Sequence, residues 1–196
     1  SSHEDIVEFS KHSSKPVITA LSDESHPCQI LADLMTYQEE KGSIQGKKIA
    51  WIGDGCNVCQ TYMQAASIFD FELSIATPVG YEPSELFIQE YQKNVTLFNN
   101  PMDACKEADI VVTDVWTSMG QESEKKQRET AFSGFQVNQL MMNHAKNDAV
   151  FMHCLPAYRG VEVGSEVIDG SQSVVWSEAE NRLHVQKSLL LYLIEA

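Results

Sequence analysis

Short runs of β-branched and large apolar residues recur along this chain, and a stretch with helical spacing of apolar residues comes after most of them. Lys47 to Gly53, Leu73 to Thr77, Val95 to Phe98, Asp109 to Trp116 and Ala149 to Cys154 read as strands. Val58 to Phe69, the segment opened by Tyr81-Glu82-Pro83-Ser84, Pro101 to Ala108 and Asn138 to Ala145 read as the helices between them. A last strand is expected over Ser173 to Trp176, after a loop and helix over Tyr158 to Asp169, and a long final helix over Glu178 to Ile194. Helical crossovers join parallel strands, so the expected fold is α/β, a Rossmann-like parallel sheet with helices on both faces. In such folds ligands meet the carboxyl ends of the strands. Chemistry is therefore expected just after Ile52, Thr77, Val112, Met152 and Val175.

The first residues fit this pattern poorly. Glu4 to Lys11 reads as a short helix and Pro16 to Leu21 as strand-like, but no alternation links them to the strands and helices after residue 42. Pro27 suits the first turn of a helix, and Ile30, Leu31, Leu34 and Met35 repeat at helical spacing up to Gly42. The expected organisation is a tail of a preceding domain over 1–25, a linking helix over 26–42, a main domain over 43–177 and a terminal helix over 178–196. The chain is accordingly expected to begin inside a larger protein. Ser118 to Glu129 is polar and reads as a mobile loop.

Asp and Glu outnumber Lys and Arg by 28 to 14, a formal net charge of −14. Such a surface repels phosphate backbones, and no dense Lys/Arg stripe offsets it, so no nucleic-acid partner is expected. No apolar run approaches the roughly 18 residues of a membrane span, so no membrane partner is expected. The polar, acidic start (Ser1-Ser2-His3-Glu4-Asp5) does not resemble a secretory signal. The five cysteines are odd in number and irregular in spacing, which argues against a disulfide framework and for a cytoplasmic setting. Cys56-x-x-Cys59 has no second C-x-x-C or H-x₃₋₅-H, so no metal site is expected. The pair reads as a loop residue and a buried helix residue.

Five loops carry residues able to do chemistry. Gly53-Asp54-Gly55-Cys56-Asn57 invites a dinucleotide reading, but Val58 stands where a third glycine belongs and the second strand ends Ala76-Thr77-Pro78, with no acidic residue for a ribose. The turn either simply requires glycine or presents Asn57 and helix-start N–H groups to a small polar ligand. Asp114 ends a very apolar strand, where a carboxylate either caps the next turn or meets a cationic substrate. Ser118 and Met119 lie beside Gly120, which permits bending. Cys154 follows another apolar strand and should face the same crevice, either as a buried structural cysteine or as a reactive one. His153 precedes it directly, and adjacent strand residues point oppositely, which disfavours a Cys-His dyad. In Glu178-Ala179-Glu180-Asn181-Arg182 the acids suit a first helical turn, whereas Arg182 either pairs with an acid or forks to an oxyanion. His26 and Gln29 share one helical face, as a capping pair or as ligands.

Taken together and in this order, these loops resemble the ornithine carbamoyltransferase family. His26-Pro27-Cys28-Gln29 with Leu31-Ala32-Asp33-Leu34 is similar to its carbamoyl-phosphate motif. Gly53 to Asn57 resembles its GDGNN turn, with Cys56 in place of the first Asn. Asp114 to Glu122, His153-Cys154-Leu155-Pro156-Ala157 and Glu178 to Arg182 resemble its ornithine loop, cysteine segment and EAENR motif. Cys28, Ser118-Met119-Gly120 and Cys154 favour ornithine over the related aspartate enzymes.

The resemblance implies transfer of the carbamoyl group of carbamoyl phosphate to the δ-amine of L-ornithine, giving L-citrulline and phosphate, with no cofactor and no metal. It implies that His26, Gln29 and Arg182 hold the carbamoyl group, with Cys154 and Leu155 beside it, and that Arg182 and backbone N–H groups near Leu155 stabilise the charge growing on its oxygen. It implies that Asn57, Asp114, Ser118 and Met119 hold ornithine, and that Cys154, Asp114 and Arg182 are catalytic. It also implies a homotrimer for the whole enzyme, and that residues 1–25 are a remnant of the carbamoyl-phosphate domain. The family's Ser-x-Arg-Thr-Arg phosphate motif does not occur in these 196 residues. A non-catalytic ornithine-binding or assembly module is the alternative expectation.

Overall fold

The computed structural model describes residues 2–117 and 122–195. Helix α1 (His3–His12) precedes an irregular segment and α2 (Pro27–Lys41). Next come β1 (Lys48–Ile52), α3 (Asn57–Phe69), β2 (Glu72–Ala76), α4 (Glu85–Tyr91), β3 (Val95–Phe98), α5 (Pro101–Cys105) and β4 (Ile110–Thr113). The chain continues through α6 (Lys125–Ala131), α7 (Gln139–Met142), β5 (Val150–His153), α8 (Ser165–Ile168) and α9 (Val175–Glu195).

The strands form one parallel sheet in the order β3-β2-β1-β4-β5. The strand order reverses between β1 and β4, and the carboxyl ends of these two strands open the crevice expected at such a point. Side chains alternate across the sheet and supply two cores. Ile49 and Trp51 of β1 pack with Leu73, Ile75, Val112, Met152 and, from the helices, Ile30 and Tyr62. Ala50 and Ile52 face the other way, with Val111, Phe151, Phe132, Met141 and Val167. All of these side chains are buried, so each face of the sheet is covered as the strand–helix alternation requires.

Helix α2 ends where Gly42 adopts φ +88°, a left-handed conformation that glycine enters without a steric penalty. Helix α9 packs along α2 and also touches β5. None of the described helices is long and apolar enough to cross a membrane.

Three sequence expectations are corrected. Residues 16–21 form no strand: they are irregular, and Pro16 offers no N–H to a ladder. Ser173 makes only an isolated bridge to Phe151, and the helix starts at Val175, so the expected strand over 173–176 is replaced by the entry to α9. Val174 donates to the Phe151 carbonyl, the last sheet-like bond before the chain turns helical. The polar segment 118–129 is not a loop throughout, because it enters α6, where Arg128 is buried and anchors the helix. Residues 118–121 lie outside the described residues.

Candidate active site at the strand ends

The crevice is built by the turns after β1, β4 and β5. After β1 the chain turns sharply at Gly53, φ +141°, whose N–H donates to the Ala76 carbonyl at 3.0 Å. Gly55 has a packing role: a Cβ there would sit 2.1 Å from the backbone nitrogen of Pro83. That close approach leaves no alternative to glycine. Asn57 opens α3; its Oδ1 accepts from Val58 N–H at 2.9 Å and its Nδ2 donates to the Ser22 carbonyl at 2.6 Å. Asn57 therefore ties the irregular segment after α1 to the crevice.

β4 and β5 pair with Thr113 opposite His153, so the next residues, Asp114 and Cys154, meet at the crevice floor. Cys154 Sγ donates to Asp114 Oδ1 at 3.1 Å, and Val115 N–H donates to the same oxygen at 2.7 Å. Cys56 Sγ lies 3.8 Å from Asp114 Oδ2. Burial, and then the Asp114 charge, push the Cys154 thiol well above its usual range. Burial does the same to Cys56, with Asp114 adding to it. Both groups are thus neutral thiol donors at neutral pH, and Cys154 is not poised as a thiolate nucleophile. All five cysteines are free, and Cys59 is buried inside α3 as its sequence position suggests.

A cavity of about 970 Å³ sits over this floor; Ser22, His26, Asn57, Asp114, Cys154 and Tyr158 are among its lining residues. Its rim includes Arg128, which donates to Asp54 Oδ2 at 2.7 Å and to the Trp116 carbonyl at 3.0 Å and lies over the Tyr81 ring at 4.9 Å. Sequence reading passes over Arg128, because nothing in Lys125-Lys126-Gln127-Arg128 separates one basic residue from the next.

A second polar group joins α2 and α9. Gln29 Nε2 donates to Asp33 Oδ1 at 2.8 Å and to Glu178 Oε1 at 2.9 Å, and Arg182 Nη1 donates to Gln29 Oε1. Tyr62 donates to Asp33 Oδ2 at 2.6 Å, and the His153 N–H donates to Glu178 Oε2 at 2.9 Å. Among the described residues, two buried atoms next to this group have no hydrogen-bond partner, His26 Nδ1 and Arg182 Nε. Buried polar atoms are normally paired, so the unpaired nitrogen of His26, which lines the cavity, points to a ligand. Burial, and then the Arg182 charge, hold His26 below its usual range, so its ring is neutral at pH 7.

The structure brings Asn57, Asp114, Cys154, Leu155 and His26 to one cavity. Gln29 and Arg182 are not among its lining residues, although the Arg182 charge acts on His26. Ser118 and Met119 fall outside the described residues. Leu155, at φ +55°, donates its N–H to His153 Nδ1 at 2.9 Å. That N–H is therefore already engaged in this structure. His153 Nε2 faces Glu162 Oε1 at 3.3 Å, so both ring nitrogens have partners and His153 is not a base for Cys154. Asp114, His153 and Cys154 bring donor atoms within 4.8 Å of one another, but each donor is already engaged within the protein.

Comparison with known proteins gives a consistent outcome. Residues 45–193 match the family described as aspartate/ornithine carbamoyltransferase, Asp/Orn binding domain. Residues 1–39 match aspartate/ornithine carbamoyltransferase, carbamoyl-P binding domain. A protein named ornithine carbamoyltransferase from Ruthia magnifica subsp. Calyptogena magnifica is 62% identical over 194 residues, 99% of this chain and 65% of that protein. The crystal structure of ornithine carbamoyltransferase from Burkholderia thailandensis E264 is 49% identical with a TM-score of 0.89, covering 97% of this chain and 62% of that one. That of anabolic ornithine carbamoyltransferase from Campylobacter jejuni subsp. jejuni NCTC 11168 is 40% identical with a TM-score of 0.93, covering 99% and 67%. The chain spans 62–65% of the length of the curated relatives it matches.

Proposed function

Because the chain belongs to the aspartate/ornithine carbamoyltransferase family, we propose that it supplies the ornithine site, and part of the carbamoyl site, of an enzyme that carbamoylates the δ-amine of L-ornithine. The observation that carries this reading is the Asp114 carboxylate at the crevice floor, held by Cys154 Sγ at 3.1 Å under a cavity. A carboxylate there suits the α-ammonium of a diamino acid and would repel the side chain of aspartate.

In this reading Asn57, Asp114, Ser118 and Met119 hold the amino-acid end of ornithine. Cys154 orients Asp114 through its thiol. The δ-amine must shed a proton before it attacks, since an alkylamine of this kind has a pKa of about 10.4. A dry crevice favours the neutral amine. Its nitrogen then bonds to the carbonyl carbon of carbamoyl phosphate, and the bond from that carbon to the phosphate oxygen breaks. The acyl phosphate is already activated, so neither metal nor cofactor is required by the chemistry. His26, Gln29 and Arg182 hold the carbamoyl group; among the described residues, His26 Nδ1 and Arg182 Nε have no partner within the protein. Arg182 offsets charge that develops on the carbonyl oxygen. Leu155 lines the cavity beside it, with its own N–H engaged by His153.

A cytoplasmic homotrimer, with carbamoyl phosphate and L-ornithine as its partners and no nucleic acid or membrane, completes the proposal; the net charge of −14 supports the exclusion of nucleic acid. Assaying carbamoyl transfer in the full-length protein with L-ornithine, L-aspartate and N-acetyl-L-ornithine as acceptors tests it. L-ornithine should be the preferred acceptor. Preference for either of the others would overturn the assignment of Asp114.

A further inference from the structure

Gln29, Asp33 and Glu178 form a buried contact whose chemistry is not settled by the reaction itself. Gln29 Nε2 sits between two carboxyl groups, Asp33 Oδ1 at 2.8 Å and Glu178 Oε1 at 2.9 Å. Both carboxyl side chains are essentially removed from water, Asp33 being 2% exposed and Glu178 1%. Two carboxylates that meet one amide nitrogen in a dry interior repel each other when both ionise, and a single proton held by the pair relieves that repulsion.

Among the described residues, the surroundings supply no second cation. On α2 the neighbours are Gln29 and Asp33 themselves. From α3 comes the neutral Tyr62 hydroxyl, donating to Asp33 Oδ2 at 2.6 Å. From β5 comes the His153 backbone N–H, donating to Glu178 Oε2 at 2.9 Å, while the His153 ring turns to Glu162. Beyond β5 the Cys154 thiol faces Asp114. From α9 comes Arg182, the one cation of the group, which donates to Gln29 Oε1 rather than to either acid.

We propose that Asp33 and Glu178 are positioning residues that share a single proton and thereby lock the Gln29 amide, with both of its N–H groups turned to the acids and its oxygen turned toward Arg182. This rests on the reading of Gln29 and Arg182 as carbamoyl ligands. An amide left free could rotate and present either its oxygen or its nitrogen. Held this way, Gln29 offers the site only an acceptor. A carbamoyl group carries an NH₂ that can donate to that acceptor, whereas an acetyl group of nearly the same shape cannot. The pair thus sets the chemical class that the site admits, a planar acyl group bearing N–H donors. Burial raises both acids, Asp33 to about 6 and Glu178 well above its usual range, in keeping with Glu178 as the protonated partner.

Carbon-13 NMR titration of the side-chain carboxyls in this chain tests the pair directly. Glu178→Gln and Asp33→Asn assign the two signals, and Glu178→Asp provides a second route if either does not fold. The expected result is that one of the two carboxyls keeps the shift of a protonated acid through pH 7. Two ionised signals at pH 7 reject the pair, whatever the enzyme's activity. In the full-length enzyme, Asp33→Asn should lower kcat at least tenfold while leaving KM for L-ornithine within about twofold. Adding Gln29→Ala to Asp33→Asn should then cost no more than Gln29→Ala alone, because Asp33 acts through Gln29. Multiplying losses would overturn the positioning role. If the wild type transfers nothing to ornithine, the functional reading fails while the titration still decides the pair.

Discussion

Asp114 accepts a hydrogen bond from the Cys154 thiol at 3.1 Å, although 40 positions of sequence separate the two residues. Parallel pairing of β4 with β5 makes this contact. Thr113 stands opposite His153, so the next residue of each strand emerges at the same level. Two apolar strands that look alike in sequence thereby deliver a carboxylate and a thiol to one point.

Replacing the carboxylate tests its role as the ammonium site. In the full-length enzyme, Asp114→Ala should raise KM for L-ornithine by about a hundredfold, the order lost when one partner of a desolvated charge pair is removed. KM for carbamoyl phosphate should change little. Steady-state kinetics with each substrate varied in turn reads the difference.

Cys154 should be a slow nucleophile. Burial and the neighbouring Asp114 charge raise its thiol, so little thiolate exists at pH 8. Alkylation by iodoacetamide, followed by mass spectrometry, should be slower at Cys154 than for a free cysteine. Asp114→Asn removes the negative charge that opposes ionisation and should accelerate it. Cys154→Ser should fold and should weaken ornithine handling, since the hydroxyl is a shorter donor to the same oxygen.

Arg128 and Asp54 form a buried ion pair at 2.7 Å, with their side chains 7% and 12% exposed. Arg128→Met leaves the Asp54 carboxylate buried without its partner and should destabilise the fold by about 3–5 kcal/mol. Adding Asp54→Asn should recover much of that loss, because the stranded charge is then gone. Urea unfolding of the single and double variants measures both.

Stability should depend on pH through Asp33 and Glu178. Both are raised in the folded state, so between their ordinary range and their folded values the unfolded chain binds fewer protons than the folded one. Their contribution is therefore complete below about pH 4 and declines as pH rises. Asp33 loses its share as pH passes about 6, and Glu178 loses its share higher still. Thermal unfolding between pH 5 and 8 should show Tm falling in the wild type and a flatter profile in Glu178→Gln.

Much of this was legible in the sequence, and the failures have physical causes. The sheet could be read because β1, β2, β4 and β5 are apolar on both faces and separated by helical spacing. The strand-end rule put Asp114 and Cys154 after β4 and β5, and the structure has both side by side in the cavity there. Pro16 to Leu21 has strand composition but, among the described residues, no strand partner, and composition cannot report whether an edge is available. Val174-Val175-Trp176 also has β-branched character, yet packing against β5 carries it into α9. Arg128 was invisible because its burial depends on Asp54, 74 positions away. The paired acids at Asp33 and Glu178 were invisible for the same reason, since each alone resembles an ordinary helix-surface acid and only the packing of α2 on α9 brings them together.

The most direct measurement is conversion of labelled L-ornithine to citrulline, with carbamoyl phosphate, by this chain joined to the N-terminal portion of a curated relative. The folded assembly should form citrulline, and Asp114→Ala in the same assembly should cut the rate at sub-saturating ornithine by about a hundredfold. A folded assembly that forms no citrulline, or one that uses ornithine equally well without the Asp114 carboxylate, would contradict the account.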